Sequence, residues 1–381
     1  MGKIRDYLLW RGDLHFSQDP FNDIDALIFA LLSYLPFKGI VPRIESNKDI
    51  SLKAASFHYF SKDSNTEEET SNLTPSASET FDFELEKLLY QAANCPRFEE
   101  VRLSKYDDNT DFVVGRQFGA VTFTLDTPGH KKVVAFRGTN NSLIGWKEDF
   151  QLAYLEQTPA QKSAKIYLDQ TIGIFSNKII VCGHSKGGNL ALYAGLNVSS
   201  ARQSKISKII NFDGPGFDFS VNDRASFLRN EDKVINYLPE ESVVGMLLEP
   251  VGKRNIISSS ARFMNQHNAF NWGVERTNFI PEKLSNTAIF IDQTIKTWLA
   301  EISLPEREIF IEALFDILGA SEGAVILPAA QEKLKDINKV LVKYSNLDNK
   351  TKSLLTQLFV LLTTQLTNQT KINLTTTMKE I

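Results

Sequence analysis

The chain has 381 residues, of which 42% are hydrophobic and 23% charged, a composition that provides a sizeable core and excludes a disordered protein. Its 42 basic and 46 acidic residues give a formal net charge of −4, so the overall charge does not favour nucleic acid as a partner. At about 150 residues per domain, this length predicts one large domain with an appendage.

Cysteine content and apolar runs indicate the compartment. Two cysteines, Cys95 and Cys182, are too few for a disulfide framework in a chain of this size, which is typical of a reducing environment. Charged residues interrupt the N-terminus, so it lacks the apolar core of a signal peptide. The longest apolar runs, 26–35 and 354–362, are shorter than the roughly 20 residues that span a bilayer. We therefore expect a soluble, cytoplasmic protein without a transmembrane segment.

The first predicted elements are a helix, a polar insertion and a hairpin. Residues 20–35 favour a buried helix with acidic residues in its first turn. Residues from about 63–80 are mostly Ser, Thr, Glu and Asn, which predicts a solvated insertion. Two β-rich runs, 119–125 and 132–136, flank a turn sequence and predict a β-hairpin.

Strands and helices alternate through the centre of the chain. The strands are predicted at 178–182, 206–212 and 233–238, and the helices at 143–155, 160–175 and 189–197. Alternation at these lengths predicts a mostly parallel central sheet covered by helices on both faces, which is the α/β class.

The chain changes character near Asn286. Beyond it, apolar residues such as Leu354 and Leu358 recur with the 3.6-residue period of helices. This pattern predicts an all-helical C-terminal unit over 286–381, following an α/β domain over 1–285. Two roles stay open for the unit: covering the mouth of a pocket, or mediating self-association.

The chemistry of the sequence is concentrated in residues 183–188, GHSKGG. They follow an apolar β-run and open a helix, which is the strand–turn–helix context of a Gly-x-Ser-x-Gly nucleophile elbow. Gly183 and Gly187 suit such a turn, because a Cβ atom at either position would collide with neighbouring chain. The turn would expose the Ser185 hydroxyl at a helix N-terminus, which favours developing negative charge. Ser185 is therefore the candidate nucleophile.

A serine nucleophile needs a base, and the chain has five histidines. In α/β-hydrolases the nucleophile is followed along the chain by the acid and then by the histidine. His267 is the one histidine downstream of Ser185, and it lies in a polar loop with aromatic neighbours. His267 is therefore the candidate base.

Two carboxylates that follow predicted strands are candidates for the acid. Asp213 directly follows the strand at 206–212, in a loop fixed by Gly and Pro, and Glu241 follows the next strand. Either is suited to orient the imidazole and to stabilise the imidazolium. We favour Asp213 because its loop is the more rigid, and Glu241 stays its alternative.

Together these motifs resemble the class 3, or fungal-type, lipases. The resemblance is carried by residues 133–139 (VVAFRGT), by Trp146 and Asp149, and by the GHSKGG elbow. It implies that the backbone N–H groups of Thr139 and Lys186 form the oxyanion hole. It also implies a short lid helix that carries Trp146.

The chain is also similar to a bacterial family of uncharacterised lipase-like proteins over roughly residues 1–280. Residues 6–14 (DYLLWRGDL), 212–217 (FDGPGF) and 244–249 (VGMLLE) fit that family, as does His267 with the preceding Gln. This resemblance implies an α/β-hydrolase fold rather than a substrate, because that fold hosts many chemistries.

Two positions depart from the lipase pattern. The lipase acid aligns best with Ser242, which supports an acid after the preceding strand, at Asp213. Lys186 stands where lipases usually have an uncharged residue. We expect its ammonium group to pair with a buried carboxylate rather than to bind an anionic substrate.

The predicted function is hydrolysis of a small-molecule or lipid acyl ester by Ser185, His267 and Asp213, in the esterase and lipase class. The sequence shows no metal cluster and no phosphate loop, so no metal and no cofactor are expected. A thioesterase or acyltransferase would use the same residues. The alternative from another class is a non-catalytic protein that binds acyl chains or a partner on a hydrolase scaffold. The presence of both Ser185 and His267 counts against it.

Overall fold

The computed structural model describes residues 1–63, 77–111, 115–127, 131–139, 143–173, 177–309 and 311–312. Within these residues, eight strands form one sheet in the order β1 to β8, and two short strands, β9 and β10, pair separately. The strands are β1 (Ile50–Ser51), β2 (Arg102–Asp111), β3 (Arg116–Thr124), β4 (Lys132–Phe136), β5 (Ile179–His184), β6 (Ile206–Phe212), β7 (Val234–Pro239), β8 (Lys253–Ile257), β9 (Val274–Glu275) and β10 (Asn278–Phe279).

Helices lie before, between and after these strands. They are α1 (Ile4–Arg11), α2 (Asp23–Leu32), α3 (Leu52–Asp63), α4 (Ala77–Ala93), α5 (Leu143–Gln151), α6 (Pro159–Thr171), α7 (Lys186–Asn197), α8 (Ser200–Gln203), α9 (Arg224–Leu228) and α10 (Asn286–Glu301). The first long helix is α2, capped by Asn22, whose Oδ1 accepts a hydrogen bond from the Ile24 N–H at 2.9 Å.

The sheet is mixed but mostly parallel. Antiparallel pairing joins β1 to β2, β2 to β3 and β3 to β4, and parallel pairing joins β4 to β5 and continues to β8. In the parallel half, helices connect successive strands: α5 and α6 lead into β5, and α7 leads towards β6. These features confirm the predicted α/β class.

The central parallel strands β4 and β5 are buried on both faces. In β4, Val133 and Ala135 pack into one hydrophobic cluster with residues of α1, α2 and α4. Val134 and Phe136 pack into a second cluster with residues of α6 and α7. Successive side chains of a strand point to opposite faces, so a continuous apolar run supplies both layers. Helices therefore cover the sheet on both sides.

Two predicted segments lie partly outside the described residues. Of the polar insertion, residues 64–76 are outside them. Residues 77–80, which were predicted to belong to the insertion, form the first turn of α4 instead. Of the C-terminal unit, α10 and the helical residues 304–309 are described, and residues 313–381 are outside. The domain boundary at residue 286 stays a prediction. No helix in the described part of the chain is long and apolar enough to cross a membrane.

Candidate active site

The end of β5 and the start of α7 form a sharp turn at Ser185. Ser185 is the N-cap residue of α7, with φ 59° and ψ −134°, a conformation that is strained for a residue with a side chain. A Cβ atom at Gly183 would overlap the carbonyl oxygen of Gly187, and one at Gly187 would overlap that of Phe136. The close approach of these chain segments therefore requires glycine on both sides of the serine.

His267 and Asp213 face each other beyond the carboxyl edge of the sheet. Nδ1 of His267 donates a hydrogen bond of 2.7 Å to Oδ2 of Asp213. The aspartate side chain is fully buried, whereas the imidazole keeps 21% of its surface exposed. With the proton on Nδ1, Nε2 of the neutral ring is an acceptor, which is the form that a general base requires.

Asp213 is held in place by groups from the loop that follows β7. Its own backbone has a left-handed φ of 52°. Its Oδ1 accepts hydrogen bonds from the Ser242 hydroxyl and, at 3.2 Å, from the Gly245 N–H. Glu241, the alternative acid, lies against Gln266 instead, donating its backbone N–H to the Gln266 Oε1 at 2.8 Å. The carboxylate on the imidazole is therefore that of Asp213.

Buried amides fix the loop that carries Asp213. Oδ1 of Asn211 accepts from the Gly214 N–H at 2.8 Å, and Nδ2 of Asn211 donates to the Gly214 carbonyl at 2.9 Å. The same Nδ2 donates to Oδ1 of Asn236 on β7 at 3.0 Å. These hydrogen bonds of Asn211 hold the residues before and after Asp213. They therefore stabilise the left-handed backbone conformation of Asp213.

His184 connects the loop of His267 to the segment after α2. The two imidazole rings are 4.8 Å apart between centroids. Nε2 of His184 donates to the His267 carbonyl at 2.8 Å, and Nδ1 accepts from the Tyr34 hydroxyl at 2.9 Å. Burial, and then the neighbouring His267, lower the pKa of His184 to about 3. His184 is therefore neutral near pH 7 and supports the position of His267.

The two residues assigned to the oxyanion hole follow β4 and begin α7. Lys186 is the first residue of α7, and the first N–H groups of a helix have no acceptor within the helix. The Thr139 hydroxyl donates a hydrogen bond to Oδ2 of Asp149 on α5. Burial raises the pKa of the Asp149 carboxyl to about 6, and nearby Lys186 opposes that rise. The oxyanion role of Thr139 and Lys186 stays a prediction.

The ammonium group of Lys186 is buried and paired. Its Nζ lies 2.6 Å from Oε2 of Glu148, and the two side chains keep 3% and 0% of their surface exposed. The expected pairing with a buried carboxylate is confirmed. Glu148 belongs to α5, the helix to which the lid role was assigned. Residues 140–142 and the side chain of Trp146 lie outside the described residues, so the lid stays a prediction.

The sequence prediction of the site did not include Tyr34 or Glu148. No local motif indicates Tyr34, because it reaches His184 only through the packing of α2 on the sheet. A signal for Glu148 was present: a lysine inside an apolar elbow requires a carboxylate partner. In the described part of the chain, no group of three or more His, Cys, Asp and Glu side chains is arranged to hold a metal ion.

The parallel strands, the serine turn at their carboxyl edge and the adjoining His–Asp pair are a hydrolase scaffold. A family model described as Mbeg1-like matches residues 92–316, which is more than half of the chain. The chain therefore belongs to the Mbeg1-like family, which is lipase-like, as the motifs indicated.

Two further comparisons add less. Among solved structures the chain is similar to M37 lipase, with 17% sequence identity and a TM-score of 0.34. That match covers 58% of this chain and 68% of the lipase chain. None of the curated proteins compared with the sequence matches it.

Proposed function

We propose that the protein is a serine hydrolase that cleaves carboxylic esters, with Ser185 as nucleophile, His267 as base and Asp213 as the acid that orients the base. One observation carries this proposal: the 2.7 Å hydrogen bond from Nδ1 of His267 to the buried carboxylate of Asp213. It leaves Nε2 of the imidazole as an acceptor. The His267 ring lies 4.8 Å from that of His184, the residue before Ser185.

The reaction proceeds through an acyl-enzyme. Nε2 of His267 takes the hydroxyl proton of Ser185 as Oγ attacks the ester carbonyl. The oxyanion accepts hydrogen bonds from the backbone N–H groups of Thr139 and Lys186. The imidazolium, stabilised by Asp213, then donates its proton to the leaving alkoxide. A water molecule gives a proton to the same imidazole and attacks the acyl carbon. The bond to Oγ of Ser185 then breaks, Oγ takes that proton back from the imidazolium, and the carboxylic acid is released.

Aromatic side chains pack against one another beside the two histidines. The ring of Phe81 lies 5.4 Å from that of Tyr34 and 5.7 Å from that of Phe270. Tyr34 hydrogen-bonds His184, and Phe270 lies three residues after His267, in a separate short 3₁₀ helix. Phe270 belongs to the buried core and both other rings pack against it, so the acyl group is proposed from the lipase-like character of the family. The proposed substrate is accordingly a small-molecule or lipid acyl ester.

The test is covalent labelling of the full-length protein with a fluorophosphonate. We expect stoichiometric labelling, located at Ser185 by peptide mass spectrometry, and none in Ser185→Ala of equal thermal stability. Turnover of p-nitrophenyl esters of increasing acyl length, beside the matching thioesters, identifies the bond that is cleaved. A folded wild-type protein that labels no more than Ser185→Ala would overturn the proposal and leave a non-catalytic binding protein.

A further inference from the structure

We propose that Lys186 and Glu148 form a positioning pair for the oxyanion hole. The ion pair joins α5 to the first residue of α7. Helix α5 thereby contacts both Lys186 and Thr139, the residues whose backbone N–H groups are assigned to the oxyanion hole. This inference rests on the proposed ester hydrolysis and concerns how the same site holds its oxyanion hole in place. Lys186 directly follows the nucleophile, and its side chain is 3% exposed.

Glu148 connects α5 to three other elements. Its Oε2 accepts hydrogen bonds from Nζ of Lys186 at 2.6 Å and from the backbone N–H of Gln117 at 3.0 Å. Its Oε1 accepts from the backbone N–H of Ala160 at 2.5 Å. These donors lie on α7, β3 and α6, respectively. One fully buried carboxylate therefore fixes the position of α5 relative to the sheet and to both neighbouring helices.

The next residue of α5 holds the other side of the oxyanion hole. Oδ2 of Asp149 accepts a hydrogen bond from the Thr139 hydroxyl. Consecutive carboxylates of one helix thus bind the side chains of Lys186 and Thr139. A rotation or shift of α5 would move both N–H donors relative to Ser185. Such a displacement of about 1 Å is enough to lower a catalytic rate on the order of 100-fold.

The ion pair is better suited to fixing a geometry than to stabilising the fold. Two buried charges lose their hydration, so an apolar pair of similar volume is often equally stable or more stable. The short hydrogen bond between the charges, however, forms only when α5 has one particular orientation relative to α7. An apolar replacement of both charges therefore leaves no buried charge unpaired, although the backbone N–H groups of Gln117 and Ala160 lose their acceptor.

The double variant Lys186→Met/Glu148→Met separates the two roles, because it leaves no unpaired buried charge. We expect it to fold, with kcat for a p-nitrophenyl ester lowered about 10- to 100-fold and KM changed less than about threefold. Amide hydrogen exchange should accelerate at Gln117 and Ala160, which lose their acceptor. Lys208→Met is the matched control, because it removes a 2.6 Å ion pair to Asp23 that lies outside the site. It should keep kcat within about twofold.

The outcomes distinguish this inference from the proposed function. A folded double variant with wild-type kcat and KM overturns the positioning role and leaves the hydrolase proposal intact. If the double variant does not fold, Glu148→Gln supplies the test, since it keeps the size of the side chain and removes the charge. Wild-type kcat in folded Glu148→Gln likewise overturns the inference. A wild-type protein that neither labels at Ser185 nor turns over esters overturns both proposals.

Discussion

The hydroxyl of Ser242 donates a hydrogen bond to Asp213 across the ends of two adjacent strands, β7 and β6. Oδ1 of Asp213 takes this bond together with one from Gly245, which leaves Oδ2 for His267. A Cβ atom at Gly245 would overlap the same Oδ1. The Asp213 carboxylate, which follows β6, therefore lies against Ser242 and Gly245 in the loop after β7. The carboxylate that hydrogen-bonds the His267 imidazole therefore follows β6, the neighbour of β7 in the sheet.

Replacement of the two candidate acids tests this assignment. Asp213→Asn should lower kcat for ester hydrolysis about 10⁴-fold, because an amide at this position favours the wrong tautomer of His267. Glu241→Gln should change kcat less than about threefold, since Glu241 contacts Gln266. Steady-state kinetics of both variants, with thermal stability as the control for folding, is the measurement. Equal losses in the two variants would contradict the assignment of Asp213.

Ser242→Ala tests the hydrogen bond itself. It removes one donor from a fully buried carboxylate while the Gly245 N–H remains. A hydrogen bond to a charged group contributes roughly 1.5–3 kcal/mol to stability. Because this bond holds the carboxylate that orients His267, its loss should misplace the imidazole and lower kcat by about tenfold. Ser207→Ala is the matched control, because its hydroxyl donates to the Ile179 carbonyl at the far end of β6. Wild-type kcat in Ser242→Ala would show that Gly245 alone orients the acid.

The parallel core was predictable from the sequence, and the polar edge was not. The observed bounds of β4 and β6 agree with the predicted ones, because buried strands are continuous apolar runs. The sequence prediction lacks β2, whose sequence RLSKYDDNTD is mostly polar, and β8, which begins with charged residues. Polar strands of this kind form because of their packing against neighbouring strands, so their own sequence does not predict them.

The sequence predicted the kind of partner that Lys186 has but not which residue it is. The charge of Lys186 beside an apolar strand predicted a buried carboxylate partner, and the structure supplies one in Glu148. The sequence did not distinguish Glu148 from Asp149, because the two are adjacent on α5. Which of them faces Lys186 depends on the rotation of the helix about its axis, which the packing against β3 and α6 sets. Contacts of this kind are properties of the tertiary fold.

Gly187→Ala should be among the most destabilising substitutions in the elbow. Its Cβ atom would overlap the carbonyl oxygen of Phe136, a backbone atom inside the sheet that cannot move aside. We expect a loss of about 3 kcal/mol in the free energy of unfolding, measured with urea. Gly115→Ala is the control, because Gly115 has a φ of +63° but no atom within 4 Å of a new Cβ. Its strain alone should cost about 1 kcal/mol. Equal losses would refute the steric argument.

His184 makes the stability of the fold depend on pH. Burial, and then His267, lower its pKa from 6.5 to about 3. Between these values the unfolded chain binds a proton that the folded protein does not, so stability should fall as the pH falls through this window. When one group is fully protonated in the unfolded state and unprotonated in the folded state, the free energy of unfolding changes by about 1.4 kcal/mol per pH unit.

His184→Gln isolates that contribution. An amide can still donate to the His267 carbonyl and accept from Tyr34, but it does not titrate. The urea-derived free energy of unfolding should therefore decline less steeply from pH 6.5 to pH 4 in the variant than in the wild type. Carboxylates titrate in both proteins, so the difference between the two curves reports His184. His58→Gln, at an exposed position of α3, should keep the wild-type slope. If His184→Gln also kept it, the protonation of His184 would not be coupled to folding.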